Sequence, residues 1–240
     1  MSYICSCKQI LFMLEKFRTE TASRSVRGTI RGSILRHVMR HGNFMMTEIA
    51  EATGYSLTTI AKYVAELRSD GMIAELERVN LHTKGRKAIL YGVNLDSYYF
   101  LGVDMKTFEL NIALINFIGE VVRIERHTDF RFENTHDVLD ELCNRVQRFI
   151  DTLEGIDPEK IAGATLNLSG RVDSCTGTSA SVFNFEELHD TPLADFLKEK
   201  LGLKIFIEND TKAMAYGEYM SGKNKQYENL LYVNIGWGLG

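Results

Sequence analysis

From residue 31 to about 70 the apolar positions recur at helical spacing; beyond residue 98 they fall into short runs separated by turns. Arg31–His41, "RGSILRHVMRH", sets Ile34, Leu35, Val38 and Met39 on one face, and Gly42-Asn43 ends the helix. Thr47 opens a second short helix with Ile49, Ala50 and Ala52 inward, and Gly54 supplies a tight turn. Ser56 is placed to cap a third helix whose buried stripe is Leu57, Ile60, Ala61, Val64 and Leu67. Its opposite face carries Thr58, Thr59, Lys62, Tyr63 and Glu66. After Gly71, "MIAELERV" and "KAILYGVN" read as the two strands of a hairpin around "NLHTKGR". Upstream, Ile10, Leu11, Leu14 and Phe17 make one stripe, which predicts an additional helix over Tyr3–Phe17.

Beyond Tyr98 the pattern predicts strands at Phe100–Asp104, Leu110–Asn116 and Val121–His127, an antiparallel start. His136–Leu153 is amphipathic, with Val138, Leu139, Leu142, Val146, Phe149 and Ile150 inward. A strand at Ile161–Leu168 follows, ending at Ser169-Gly170. Then come a helix at 191–201, a strand at Lys204–Glu208, a helix at Thr211–Ser221 and a last strand at Leu230–Ile235 running into "GWGLG". Three strands and a helix, followed by alternating strand and helix, predict a ribonuclease-H-like α/β lobe.

Charge divides the chain at the same place. Residues 1–97 hold 14 basic and 9 acidic side chains, and residues 98–240 hold 14 and 23, so a net −4 is +5 joined to −9. Only the first part is suited to a polyanion. A winged helix-turn-helix has the matching geometry: Ser56, Thr58, Thr59, Lys62 and Tyr63 on the recognition helix reach base edges or phosphates, while Arg68 and the hairpin tip, Lys84, Arg86 and Lys87, meet the backbone. The competing reading is a small helical domain that uses this surface for protein contacts. Four cysteines in 240 residues make no disulfide framework, so a reducing cytoplasm is expected. Cys5-x-Cys7 has half the spacing of a metal site, but no partner pair follows, and no metal is expected. No stretch approaches the roughly 20 apolar residues of a membrane span, so no membrane partner is expected.

"GVDMKTFELNIALINFIGEVV", "ATLNLSGRVD", "VFNFEELHDTPLADFLKEKLGLKIFIENDTKAMAYGEY" and "LYVNIGWGLG" stand in the order seen in the ROK family of repressors and sugar kinases. With a winged helix in front and "GRKAILYGVN" at the junction, the chain resembles the repressor branch of that family. The apolar patterns divide the chain into an N-terminal helical segment over 1–25 and a winged helix-turn-helix over 26–97, and the resemblance, which runs from about residue 30 to the end, implies the first lobe of an actin-like sugar-kinase fold over 98–240. It also implies a second lobe that begins near 228 and is incomplete here, with zinc ligands carried only in longer members and no cofactor in this chain. The implied partners are a double-stranded DNA operator, a sugar or sugar-phosphate effector, and a second copy of the chain in a homodimer or higher oligomer.

The resemblance further implies a sugar site at Gly170, Asn184, Asn209 and Asp210, with Asp210 where the kinases keep a catalytic base. A second reading makes Asp210 the N-cap of the helix beginning at Thr211, and for Asn184 an ordinary loop position remains open. The phosphate loops depart from the kinase pattern. Asp104 is kept, but Lys106, Thr107 and Phe108 stand where the kinases have Gly-Gly-Thr, and in Gly236-Trp237-Gly238 a tryptophan replaces the usual threonine. Thr and Phe do not take glycine's conformations or leave room for phosphate oxygens. The expectation is a sugar-sensing repressor without phosphoryl transfer; a sugar kinase with an appended winged helix is the alternative.

Overall fold

The computed structural model describes residues 26–79, 88–183, 185, 192–220 and 229–235. The chain divides between Tyr98 and Tyr99 into two compact units. The predicted helix at Tyr3–Phe17, with Cys5 and Cys7, lies outside the described residues.

The first unit runs α1 (Val26–His41), β1 (Phe44–Met45), α2 (Met46–Thr53), α3 (Leu57–Ser69), β2 (Ile73–Val79) and β3 (Ala88–Val93). The three strands form one antiparallel sheet in the order β1-β3-β2. Gly54 separates α2 from α3 in a left-handed conformation, φ 74°, and its N–H closes on Ala50 O at 2.9 Å. The core gathers Ile30, Ile34 and Val38 from α1, Ile49 from α2, and Ile60, Val64 and Leu67 from α3, with Phe44 and Tyr91 stacked at 5.7 Å. Arg31 on α1 ties down the end of α3 by pairing with Glu66 at 3.3 Å and with Asp70.

Three positions differ from the reading of the sequence. Leu57 is 49% exposed, because a first-turn side chain points back past the helix start and overhangs the Ser56 turn. Tyr63, expected on the outer face, is only 8% exposed, since Ile60, Tyr63, Val64 and Leu67 complete an i, i+3, i+4, i+7 stripe. Ala52 is exposed rather than inward.

The second unit is built on a five-stranded sheet: β4 (Tyr99–Lys106), β5 (Glu109–Ile115), β6 (Val121–His127), β7 (Ile161–Leu168) and β10 (Ile205–Asn209). A short hairpin, β8 (Val172–Asp173) and β9 (Thr178–Ser179), stands beside it, and the helices are α4 (His136–Asp151), α5 (Leu193–Leu201) and α6 (Asp210–Met220). The sheet order is β10-β7-β4-β5-β6, with β10, β7 and β4 parallel and β4, β5 and β6 antiparallel. One sheet face, carrying Leu101, Val103, Ile112, Leu166 and Ile207, forms the main core with α4 and α5. On α4 every apolar position expected inward is buried, together with Cys143, and Thr135 caps the helix by accepting from Val138 N–H at 3.4 Å. β4 and β5 are buried on both faces, which suits their nearly continuous apolar runs.

The expected strand at 230–235 does not form. Residues 229–234 lack regular structure and only Ile235 makes a bridge. Two residues rest on α6: Tyr232 Oη lies 3.8 Å from Met214 Sδ, and Asn234 Nδ2 donates to Thr211 Oγ1 at 3.2 Å. The odd positions face outward, Leu231 at 88% and Ile235 at 81% exposed. A strand exists only through its ladder, and among the described residues no neighbouring strand supplies one.

Leu142, 2% exposed at the middle of α4, tests this core. Leu142→Ala is expected to cost about 2–5 kcal/mol, read as a lower midpoint for the unfolding transition of the second unit. The transition of the winged-helix unit should stay where it is.

Candidate functional site

On the first unit the outward side of α3 is narrower than its sequence suggested. Ser56 Oγ accepts from Thr59 N–H at 3.1 Å and lies 2.8 Å from Thr59 Oγ1, so both hydroxyls are engaged in capping the helix. Thr58 and Lys62 are exposed, while Tyr63 is withdrawn into the core, with the Lys62 ammonium 5.3 Å from its ring centre. Arg68 is exposed but held, 3.4 Å from Glu75 and 5.8 Å from the centre of the Tyr91 ring. The groups left to meet a partner on α3 are Leu57, Thr58 and Lys62: an apolar side chain, a hydroxyl and a cation in its first two turns. That set can contact a thymine methyl, a base edge and a phosphate. Leu57 was missed because helical spacing alone assigned it to the core. Lys84, Arg86 and Lys87 lie outside the described residues.

On the second unit the parallel strands bring their carboxyl ends together, the usual location of a ligand site in an α/β sheet. Register aligns Glu208 with Asn167, Asn167 with Asp104, and Asp104 with Asn111, one polar row on the sheet face opposite the main core. All four are buried. Beyond the row, Ser169 Oγ donates to Asp210 Oδ2 at 2.6 Å, and Asn209 Nδ2 donates to Gly170 O at 2.9 Å. These two contacts join the end of β7 to the start of α6 and bring Gly170, Asn209 and Asp210 together. Asn184 lies outside the described residues, as do Gly236, Trp237 and Gly238.

The cap of α6 corrects the sequence reading. The helix begins at Asp210, and Asn209 does the capping, its Oδ1 accepting from Lys212 N–H at 2.9 Å. Asp210 Oδ1 accepts from Thr211 N–H at 2.6 Å, while Oδ2 takes the Ser169 hydroxyl. The Asp210 carboxylate is thus oriented by donors on both oxygens and remains partly open to solvent. Ser169 and Glu208 are the residues the sequence did not single out. Glu208 Oε1 accepts from Asn209 N–H at 3.0 Å and pairs with Lys212 at 3.2 Å, so this buried acid fixes the strand end that presents Asn209.

The turn after β4 contains only Thr107 and Phe108, since Lys106 pairs with Glu109. Neither takes positive φ, so the turn lacks the left-handed backbone that turns amides inward as a phosphate nest. Its carbonyls are engaged instead: Thr107 O accepts from Phe132 N–H at 2.9 Å and Phe108 O from Arg131 at 3.3 Å. Asp104, 2% exposed, does not cap this turn but pairs with the Lys106 ammonium at 3.3 Å. Burial pushes the Asp104 carboxyl up from its ordinary value, and Lys106 pulls it partly back. Among the described residues no group of three His, Cys, Asp or Glu could hold a metal ion. Among them, too, no helix is long and apolar enough to cross a membrane.

Comparison with known proteins joins these two units to named relatives. The ROK family model matches residues 100–240, and a winged helix-turn-helix DNA-binding model matches residues 29–74. The xylose repressor of Bacillus subtilis is 24% identical over 208 residues, covering 86% of this chain and 53% of the relative. The DNA-binding transcriptional repressor Mlc of Escherichia coli is 20% identical over 215 residues, covering 90% and 52%. The chain spans about half the length of the curated relatives it matches, 51% to 53% for these repressors and for the Caldicellulosiruptor xylose repressor. Among solved structures, a ROK family transcriptional regulator described as a homologue of the E. coli Mlc protein superposes with a TM-score of 0.62 at 24% identity. That superposition covers 78% of this chain and 46% of the other, and it carries the fold. The likeness joins a winged helix-turn-helix to an actin-like sugar-kinase fold.

Gly170 checks the geometry of the strand ends. Its φ is 101°, and a Cβ there would fall 2.3 Å from Ser181 Oγ. Gly170→Ala should cost about 1–3 kcal/mol. In a Ser181→Ala background the clash is relieved but the backbone strain stays, so melting curves should show partial and not full recovery.

Proposed function

The chain belongs to the ROK family, and within it we propose a sugar-responsive, DNA-binding transcriptional regulator that acts as a repressor in the cytoplasm. The observation that carries the reading is one chain joining two surfaces. The first is a capped recognition helix exposing Leu57, Thr58 and Lys62; the second is a strand-end site at which Ser169 and Asn209 orient Asp210. Xylose repressors and Mlc, whose names describe repression, are similar along both parts.

At the DNA, Lys62 supplies a phosphate contact, Thr58 a base-edge contact and Leu57 an apolar contact in the major groove. At the strand ends, Asp210 accepts a hydrogen bond from a sugar hydroxyl, and Gly170 lets the chain approach closely enough for Asn209 to be pinned beside it. Asn184 is proposed as a further sugar ligand. Effector binding biases the relation between paired winged helices in a homodimer, and with it the fit to two half-sites.

The kinase reading keeps one observation in its favour. An oriented carboxylate with a hydroxyl partner at 2.6 Å is also the arrangement of a general base. Against it stand Lys106, Thr107 and Phe108, whose turn offers phosphate no inward amides. The proposal therefore assigns no phosphoryl transfer, and a coupled ADP-release assay over a hexose panel should stay at background.

The deciding experiment is fluorescence anisotropy on DNA from upstream of the gene, at several salt concentrations, with sugars and sugar phosphates added. Salt-sensitive binding that one sugar releases is the expected result. Lys62→Ala should weaken binding to all sequences alike and lower the salt slope by about 1. An unchanged slope removes Lys62 from the DNA surface, and binding no better than to random DNA overturns the regulator reading.

A further inference from the structure

We propose that Lys106 is a built-in counter-ion: its ammonium holds the Asp104 carboxylate charged at the end of β4 and closes this corner of the lobe to any external cation or phosphate. The inference goes beyond the sugar reading and stands on the geometry of the β4–β5 hairpin alone.

Asp104 is buried at 2% exposure in a row with Asn111, Asn167 and Glu208. A carboxylate moved from water into such a row needs a partner, or it takes up a proton. The strands and the helix around it offer few partners. On β5, Asn111 is neutral; its side chain hydrogen-bonds the Asp104 carboxylate, a weaker aid to the charged form than Lys106, while its Oδ1 makes no hydrogen bond. On β7, Asn167 is neutral and donates to Val103 O at 3.4 Å. On β10, Glu208 is an acid already paired with Lys212 of α6. Asp210, also on α6, is a second acid whose charge opposes ionisation of Asp104. The cation found at Asp104 is Lys106, two residues along the same strand and therefore on the same sheet face. Its Nζ lies 3.3 Å from Asp104 Oδ2 and 3.8 Å from a Glu109 oxygen, while the side chain remains 39% exposed. The approach to Oδ2 is close enough for an ion pair although it misses hydrogen-bond geometry.

Two acids thus share one tethered cation at the neck of a two-residue turn whose carbonyls are tied to Phe132 and Arg131. The ammonium is covalently present at high effective concentration, so it needs no bound ligand to neutralise the buried acid. The arrangement neutralises Asp104 and leaves the net charge beside Asp210 negative, which repels phosphate oxygens and leaves hydroxyls as the ligand groups accepted there.

The sign of the pH effect follows from burial. Desolvation raises the Asp104 carboxyl and Lys106 lowers it in part, so removing Lys106 raises it further. A raised folded value makes ionisation costly: the cost is absent below the unfolded value, near pH 4, and grows as pH climbs through the folded one. Melting temperatures of the full chain should therefore be measured from pH 4.5 to 8.5 for wild type, Lys106→Met, Lys106→Arg and the double variant Asp104→Asn/Lys106→Met. Lys106→Met is expected to melt roughly 3–8 °C lower at the alkaline end, with the gap closing toward the acidic end. Lys106→Arg should keep most of the wild-type curve, and the double variant should recover the loss and flatten the pH dependence. A loss in Lys106→Met that is the same at every pH, or that Asp104→Asn leaves in place, overturns the proposal, because lost packing alone behaves that way. If Lys106→Met fails to fold, the double variant decides: the proposal requires it to fold, and its failure is a refutation.

Discussion

Parallel strands that end together can align only residues of like parity, and in the second unit that constraint selects which side chains share a face. Because β10, β7 and β4 run the same way in one register, Glu208, Asn167 and Asp104 fall into a row, and Asn111 of β5 extends it. Residues one step along each strand turn to the other face, where Ile207, Leu166, Val103 and Ile112 join α4 and α5. The same period-2 rule that builds the apolar core therefore builds the polar ledge behind it. A one-residue slip of β4 or β10 would bury an acid, and of β5 or β7 an amide, among the leucines of α4, so the core and the site hold each other in register.

The polar ledge then fixes what lies beyond it. Glu208 accepts from Asn209 N–H, Asn209 caps α6 through Lys212 N–H, and the first helical residue is Asp210. A buried acid is followed directly by a half-buried capping amide and a half-buried carboxylate. On the winged-helix unit the selection works by subtraction. Capping consumes Ser56 and Thr59, packing takes Tyr63, and ion pairing takes Arg68, which on α3 leaves Leu57, Thr58 and Lys62 to meet a partner.

Much of the fold was legible because its elements have strong periods. The stripe of α4, the run of β7 from Ile161 to Leu168 and the cap at Ser56 are readable from residue types and spacing. The Gly54 turn was legible too, since a left-handed φ marks itself by its residue. The misreadings have physical causes. Tyr63 presents both an apolar ring and a hydroxyl, so type alone does not choose its side. Leu57 obeys the stripe but sits in the first turn, where direction outweighs spacing. Residues 230–235 have strand composition without a ladder partner among the described residues, and composition carries no information on partners. At the site, Asp104, Gly170, Asn209 and Asp210 could be named from motifs, whereas Ser169 and the Glu208 row required register. Strand register is a relation between distant segments that no local pattern encodes.

The outward alternation of Leu231, Val233 and Ile235 has a practical side. The window "LLYVNI" is mostly apolar, uncharged and free of proline, and Leu230, Leu231, Val233 and Ile235 in it are exposed. Such a window is a template for cross-β pairing with its own copies. At high concentration this exposed window adds a route to non-specific self-association that is separate from the homodimer proposed above. That route should grow with temperature and ionic strength, as hydrophobic contact does.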